Sequence, residues 1–244
     1  MSEEIVQNIA TIKARMRQAC ENSGRAIQDV KLLLATKTVD VERIKVALHA
    51  GETLIAENKV QELKEKYEGL KAVPHTNHFI GHLQTNKIKD ILKYEVTCVQ
   101  SVDRLDLAEK LHQRLVTENK TIDVLIQVNT SNEESKFGVH PDEALSLVQA
   151  VAKLDTLRIK GLMTIGLFSA EAEKVRACFR LLKNIQQQVI ALQLPNVAMD
   201  ELSMGMSGDL EAAIEEGATI IRVGTAIFGK RPTLDSFYWN ESKG

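Results

Sequence analysis

The chain has 244 residues, 44% of them hydrophobic and 26% charged, which is enough for one sizeable core and argues against disorder. Its 31 Lys and Arg against 33 Asp and Glu give a formal net charge of −2, so no overall field draws it to nucleic acid or an anionic membrane. The acidic Met-Ser-Glu-Glu start is unlike a signal peptide, no apolar run approaches the ~18 residues of a membrane span, and Cys20, Cys98 and Cys178 are too scattered for a disulfide framework. A cytoplasmic protein with three small buried thiols is expected.

In chain order, Ile5, Ile9, Ile12 and Met16 recur at helical spacing and predict a leading helix over 5–20. A Leu-rich strand over 31–36 precedes a helix over 41–50, with Ile44, Ala47 and Leu48 on one face and Gly51 just past its end. A strand over 53–56, a charged helix over 60–67, a strand over 78–80 and a helix over 85–92 follow. The next strand is read at 96–99, with Ser101 capping a helix striped by Leu105, Ala108, Leu111 and Leu115. The clearest strand, 122–129, is apolar along most of its length, as one covered on both faces should be. Pro141 opens a helix through Leu145, Val148 and Val151. Strand 157–164, helix 170–192, strand 201–203, helix 210–216 and strand 219–223 complete the chain.

Eight strands separated by single helices imply a parallel sheet with right-handed crossovers. The length fits a closed (β/α)8 TIM barrel with an extra N-terminal helix. An open doubly wound sheet is the alternative, because periodicity does not show closure.

In such barrels the chemistry gathers at the carboxyl ends of the strands. Lys37 follows the first Leu run directly. On its own it reads as a solvated loop lysine; placed at the mouth and desolvated, its amine would suit Schiff-base chemistry. Ser207 lies in the small-residue loop Met204-Gly205-Met206-Ser207-Gly208-Asp209, as the expected N-cap of the next helix, and Arg222-Val223-Gly224-Thr225 closes the last strand. Loops after strands 7 and 8 commonly seat a phosphate, although a cap and an ordinary turn explain the same residues. Together these groups suggest pyridoxal 5′-phosphate as cofactor, with Arg222 able to reach its pyridine nitrogen.

The sequence resembles the pyridoxal phosphate homeostasis protein family from the first helix to Pro232. The matching motifs include Leu33-Leu34-Ala35-Thr36-Lys37-Thr38, Glu57-Asn58-Lys59-Val60-Gln61-Glu62, the run from His78 to Lys87, Lys136-Phe137-Gly138-Val139, and those around Ser207 and Gly224. The resemblance implies one domain over 1–232, a fold-type III pyridoxal-phosphate-binding barrel like the N-terminal domain of alanine racemase. It implies Lys37 as the aldimine lysine, Ser207, Gly224 and Thr225 at the phosphate, Arg222 at the pyridine nitrogen, and Asn58, His82 and Met204 lining the pocket. Ala56, Lys59 and Asn77 depart from the family's usual residues and bring the lining of the mouth into question. The tail 233–244, with Phe237, Tyr238 and Trp239, is expected to pack on the barrel.

An always-cationic Arg at the pyridine nitrogen weakens the ring as an electron sink, and the length leaves no room for the second domain of a racemase. The expectation is therefore a monomeric, non-catalytic carrier serving vitamin B6 and amino-acid balance, with cofactor-dependent apoenzymes or regulatory proteins as further partners. A weak amino-acid racemase using His82 or Tyr67 as base, and a cofactor-sensing interaction module, are the alternatives. His75, His78 and His82 have a metal-like spacing, but a strand end does not bring them onto one face, and no metal is expected.

Overall fold

A strand covered on both faces must be apolar along its length, and β1 (Lys31–Ala35) is exposed only at Lys31. The structure, a computed structural model, describes residues 2–167, 169 and 171–229, so the tail read at 233–244 lies outside them. Before β1 runs α1 (Ser2–Asn22), which buries Ile5, Ile9, Ile12 and Met16 as its spacing predicts. After it come α2 (Val41–His49), β2 (Leu54–Glu57), α3 (Val60–Leu70), β3 (Thr76–Phe79), α4 (Ile88–Lys93), β4 (Cys98–Val102) and α5 (Leu105–Glu118). The second half holds β5 (Ile122–Gln127), α6 (Ala144–Val151), β6 (Leu157–Met163), α7 (Ala172–Ala191), β7 (Val197–Ser203), α8 (Leu210–Glu215), β8 (Ile220–Val223) and α9 (Thr225–Phe228).

All neighbouring strands pair in parallel and β8 returns to β1, so the sheet is a closed barrel in sequence order. The open-sheet alternative falls. Leu33, Ala56 and Ile220 form one apolar patch within the barrel, and Cys98, Leu125 and Met163 another. The main core lies between strands and helices, where α7 alone buries Val175, Phe179, Leu182, Ile185 and Val189. At roughly 1.5–3 kcal/mol for each fully buried large apolar side chain, that face is ample to hold the helix on the sheet. The three cysteines are buried thiols, as expected.

Two local readings are corrected. The fourth strand starts later and ends later than the apolar run suggests. The Val96 amide bonds back to Ile91 O at the end of α4, and the polar pair Gln100 and Ser101 is fully buried within β4. Ser101 therefore caps no helix; Arg104 holds the N-cap position of α5, without a side-chain cap. Pro141 opens a short 3-10 turn that leads into α6. Among the described residues no helix is long and apolar enough to cross a membrane.

Candidate functional site

The carboxyl end of the barrel gathers the expected residues. Lys37 stands two residues past β1, half-buried, between the buried Thr36 and a left-handed Thr38 at φ +63°. Asn58 directly follows β2, and its side-chain Oδ1 is buried without a hydrogen-bond partner among the described residues. Gly81, one residue before His82, must be glycine. A Cβ there would fall 1.9 Å from Asn58 O, so the turns after β2 and β3 meet backbone to backbone. His82 stacks on Phe137 with ring centroids 4.0 Å apart. Phe137 is carried by the segment after β5, which Gln127 holds by donating to Phe137 O at 3.0 Å.

Arg222 of β8 points into the barrel and is buried. It donates to Thr164 O at 2.7 Å and to Ser203 Oγ at 2.8 Å; Ser203 donates to Gln100 Oε1 at 2.6 Å, and Gln100 Nε2 donates to His78 Nδ1 at 2.8 Å. Each donor in this row fixes the next acceptor, so His78 is the neutral ring with its proton on Nε2. Burial, reinforced by Lys31, lowers His78 to about 4. Burial also lowers Arg222 to about 10 while Asp209 pulls it up, which leaves the guanidinium cationic at neutral pH. Gln100, Ser203 and Thr164 were not singled out from sequence. For Gln100 the available signal was a polar residue in a short apolar stretch; Ser203 ends the mixed strand β7 and Thr164 follows β6, where no such pattern marks them.

Ser207 is not the N-cap of α8: Asp209 occupies that position. The physical reason is that Asp209 folds back, accepting from the Met206 amide at 2.5 Å, which leaves Ser207 in the loop itself. The loop is tied to α1 by Arg15, which donates to Ser207 O at 3.1 Å and grips Glu211 at 2.7 and 2.9 Å. Gly224 lies against β1, where a Cβ would approach Ala35 O to 2.9 Å, and Thr225 follows it, exposed, as the first residue of α9. The Arg222 amide donates to Gly205 O at 3.1 Å, joining the two loops. Met204 is fully buried in the core between strands and helices, so its side chain does not enter the mouth.

These residues fit a phosphorylated aldehyde. Among the described residues the amides of Ser207, Gly208, Thr225 and Ala226 have no acceptor, and a Cβ on Gly208 would meet open space. Unpartnered amides and two hydroxyls at adjoining loops suit a phosphate, with the amine of Lys37 and the cation of Arg222 on neighbouring strands. Other expectations land elsewhere. Tyr67 packs on Tyr94 at 5.4 Å in the outer layer between α3 and α4, too far outside the barrel to serve as a base. Asn77 lines the same outer cavity and Ala56 lies in the barrel's apolar interior, so neither lines the mouth. Among the described residues no three His, Cys, Asp or Glu side chains converge as metal ligands.

The alanine racemase N-terminal domain family matches residues 3–232. A relative in Aquifex aeolicus named pyridoxal phosphate homeostasis protein is 42% identical over 92% of this chain and 97% of its own length. A solved structure described as an unknown protein from Bifidobacterium adolescentis is 41% identical, with TM-score 0.89 over 93% of this chain and 95% of its own. PipY of Synechococcus elongatus, solved with pyridoxal phosphate bound, is 29% identical, with TM-score 0.81 over 92% of this chain and all of its own.

Proposed function

Because the chain belongs to the pyridoxal phosphate homeostasis protein family, on the alanine racemase N-terminal domain fold, we propose that it is a non-catalytic carrier of pyridoxal 5′-phosphate. In this reading it acts as a cytoplasmic monomer and serves vitamin B6 and amino-acid balance. When bound, the cofactor supplies an aldehyde that reacts with amines and a ring that can draw electrons from a neighbouring carbon. Lys37 Nζ is its covalent attachment point. Ser207 Oγ, Thr225 Oγ1 and the amides around Gly208 and Gly224 hold its phosphate, while Asn58 and His82 bound the ring and Met204 contributes only backbone.

The observation that carries the non-catalytic reading is Arg222, a buried cation fixed by Ser203 and Thr164 where the pyridine nitrogen would face. A guanidinium donates to that nitrogen without giving up its own proton, so the nitrogen stays unprotonated and the ring withdraws electrons weakly. A racemase also needs acids or bases on both faces of the reacting carbon. Tyr67 is out of reach and His82 is stacked on Phe137. The direct test is turnover: the purified protein, loaded with cofactor, is expected to leave the enantiomeric balance of added amino acids unchanged. Sustained interconversion that disappears in Lys37→Ala would overturn this reading.

A further inference from the structure

The turn carrying Lys37 is gripped from behind by a buried ionic cluster. Lys66 Nζ donates to Thr36 O at 2.8 Å, and Thr36 Oγ1 donates to Glu57 Oε1 at 2.6 Å. On the other side of Lys37, the Thr38 amide donates to Glu62 Oε2 at 2.6 Å. Lys66 joins the two carboxylates, 2.7 Å from Glu57 Oε1 and 2.6 Å from Glu62 Oε2. Thr38 needs such a grip, because a β-branched residue at φ +63° is strained and persists only where its surroundings over-determine it.

We propose that Glu57, Glu62 and Lys66 are positioning residues for Lys37, fixing the backbone on both sides of it so that its amine is presented in the barrel mouth. The proposal rests on the reading of Lys37 as the attachment point. It also explains why β2 ends in a buried carboxylate and α3 carries a buried lysine, neither of which lines the phosphate seat.

The cluster has a titratable element. Two carboxylates share one ammonium; burial pushes Glu57 up to about 7 against the pull of Lys66, and Glu62 adds to the rise. Glu57 Oε1 already accepts two hydrogen bonds, whereas Oε2 has none among the described residues. A proton on Glu57 therefore sits on Oε2. Glu57 lines a cavity of about 160 Å³ that it shares with Asn77, whose Oδ1 also has no partner among the described residues. The charged and titratable groups around it are Lys66 and Tyr67 of α3, Lys71 just past its end, His75 before β3, and Tyr94 and Glu95 after α4, with Glu62 reached through Lys66.

Borohydride trapping of pyridoxal 5′-phosphate on Lys37, mapped by peptide mass spectrometry against pH, tests the proposal, with each variant's fold checked by circular dichroism. Glu62→Ala is expected to trap ~10-fold more slowly, and Glu62→Gln, which keeps an acceptor for the Thr38 amide, to stay within ~3-fold of wild type. Glu57→Gln should lose a titration near neutrality that wild type shows. Thr38→Gly, which takes positive φ freely, should restore part of the rate in Glu62→Ala. Should Glu62→Ala not fold, the Glu57→Gln profile decides. Wild-type trapping in Glu62→Ala, or an unchanged pH profile in Glu57→Gln, overturns the proposal and leaves the role of Lys37 standing. No trapping on Lys37 in the wild type overturns both.

Discussion

At the amino end of the barrel, charges meet in pairs with at least one exposed partner: Lys31 with Glu201 at 2.6 Å, Arg158 with Asp123 at 2.6 Å, and Lys13 with the buried Glu52. They surround a cavity of about 670 Å³ between the strand starts and α1. At the carboxyl end the cation Arg222 is buried and hydrogen-bonded to the neutral Ser203 and Thr164, Thr38 is strained, and among the described residues Asn58 keeps an orphaned oxygen and loop amides lack acceptors. One end pairs its charged groups with each other; the other leaves a cation, an amide oxygen and loop amides to be completed. Unpartnered buried groups destabilise a fold, so their concentration at one end is intelligible when a ligand completes them. That asymmetry is also what the barrel architecture assigns to its two faces.

Four substitutions or conditions sharpen the contrast. The largest effect is expected from Arg222→Ala, which removes two charge-assisted hydrogen bonds inside the barrel and should lower stability by about 3 kcal/mol in urea unfolding; a loss below ~1 kcal/mol would show that the interior row is dispensable. Next comes pH. His78 is held near 4 in the fold against an ordinary 6.5, so the unfolded chain takes up a proton first as pH falls. Stability present above 6.5 is lost towards 4, by up to about 3 kcal/mol. Glu57, raised to about 7 from 4.5, works oppositely, its stabilisation fading as pH climbs from 4.5 to 7. The difference in pH dependence between wild type and His78→Gln isolates the first effect.

Arg15→Ala frees the loop at Ser207 and should cost about 1 kcal/mol or less while weakening cofactor binding several-fold by spectroscopic titration. Smallest of all is Arg158→Ala, at an amino-end pair 52% and 30% exposed, with about 0.5 kcal/mol or less expected and cofactor binding unaltered. An Arg158→Ala effect on binding as large as that of Arg15→Ala would erase the distinction between the two ends.

The barrel was legible because each strand is a short apolar run and each helix a stripe, and because Lys37, Ser207 and Arg222 follow such runs directly. Strand limits failed where the interior is polar: Gln100 and Ser101 interrupt the apolar pattern of β4 yet are fully buried, and for Gln100 the interior row supplies the partners, Ser203 and His78. Ser207 reads as a cap because small hydroxyl residues before a helix usually are one; Asp209, two residues on, holds that position. Arg15 and the Glu57–Lys66 pair carried no sequence signal. Their partners lie 192 and 30 residues away for the bonds that matter to the site, distances that no local pattern encodes.

The central claim is that Lys37 holds the cofactor, and the visible absorption spectrum of the purified protein beside Lys37→Ala tests it most directly. The account predicts a yellow protein whose long-wavelength band is absent from the variant. A wild-type chain that stays colourless after incubation with pyridoxal 5′-phosphate, or a variant with the same band, would contradict it.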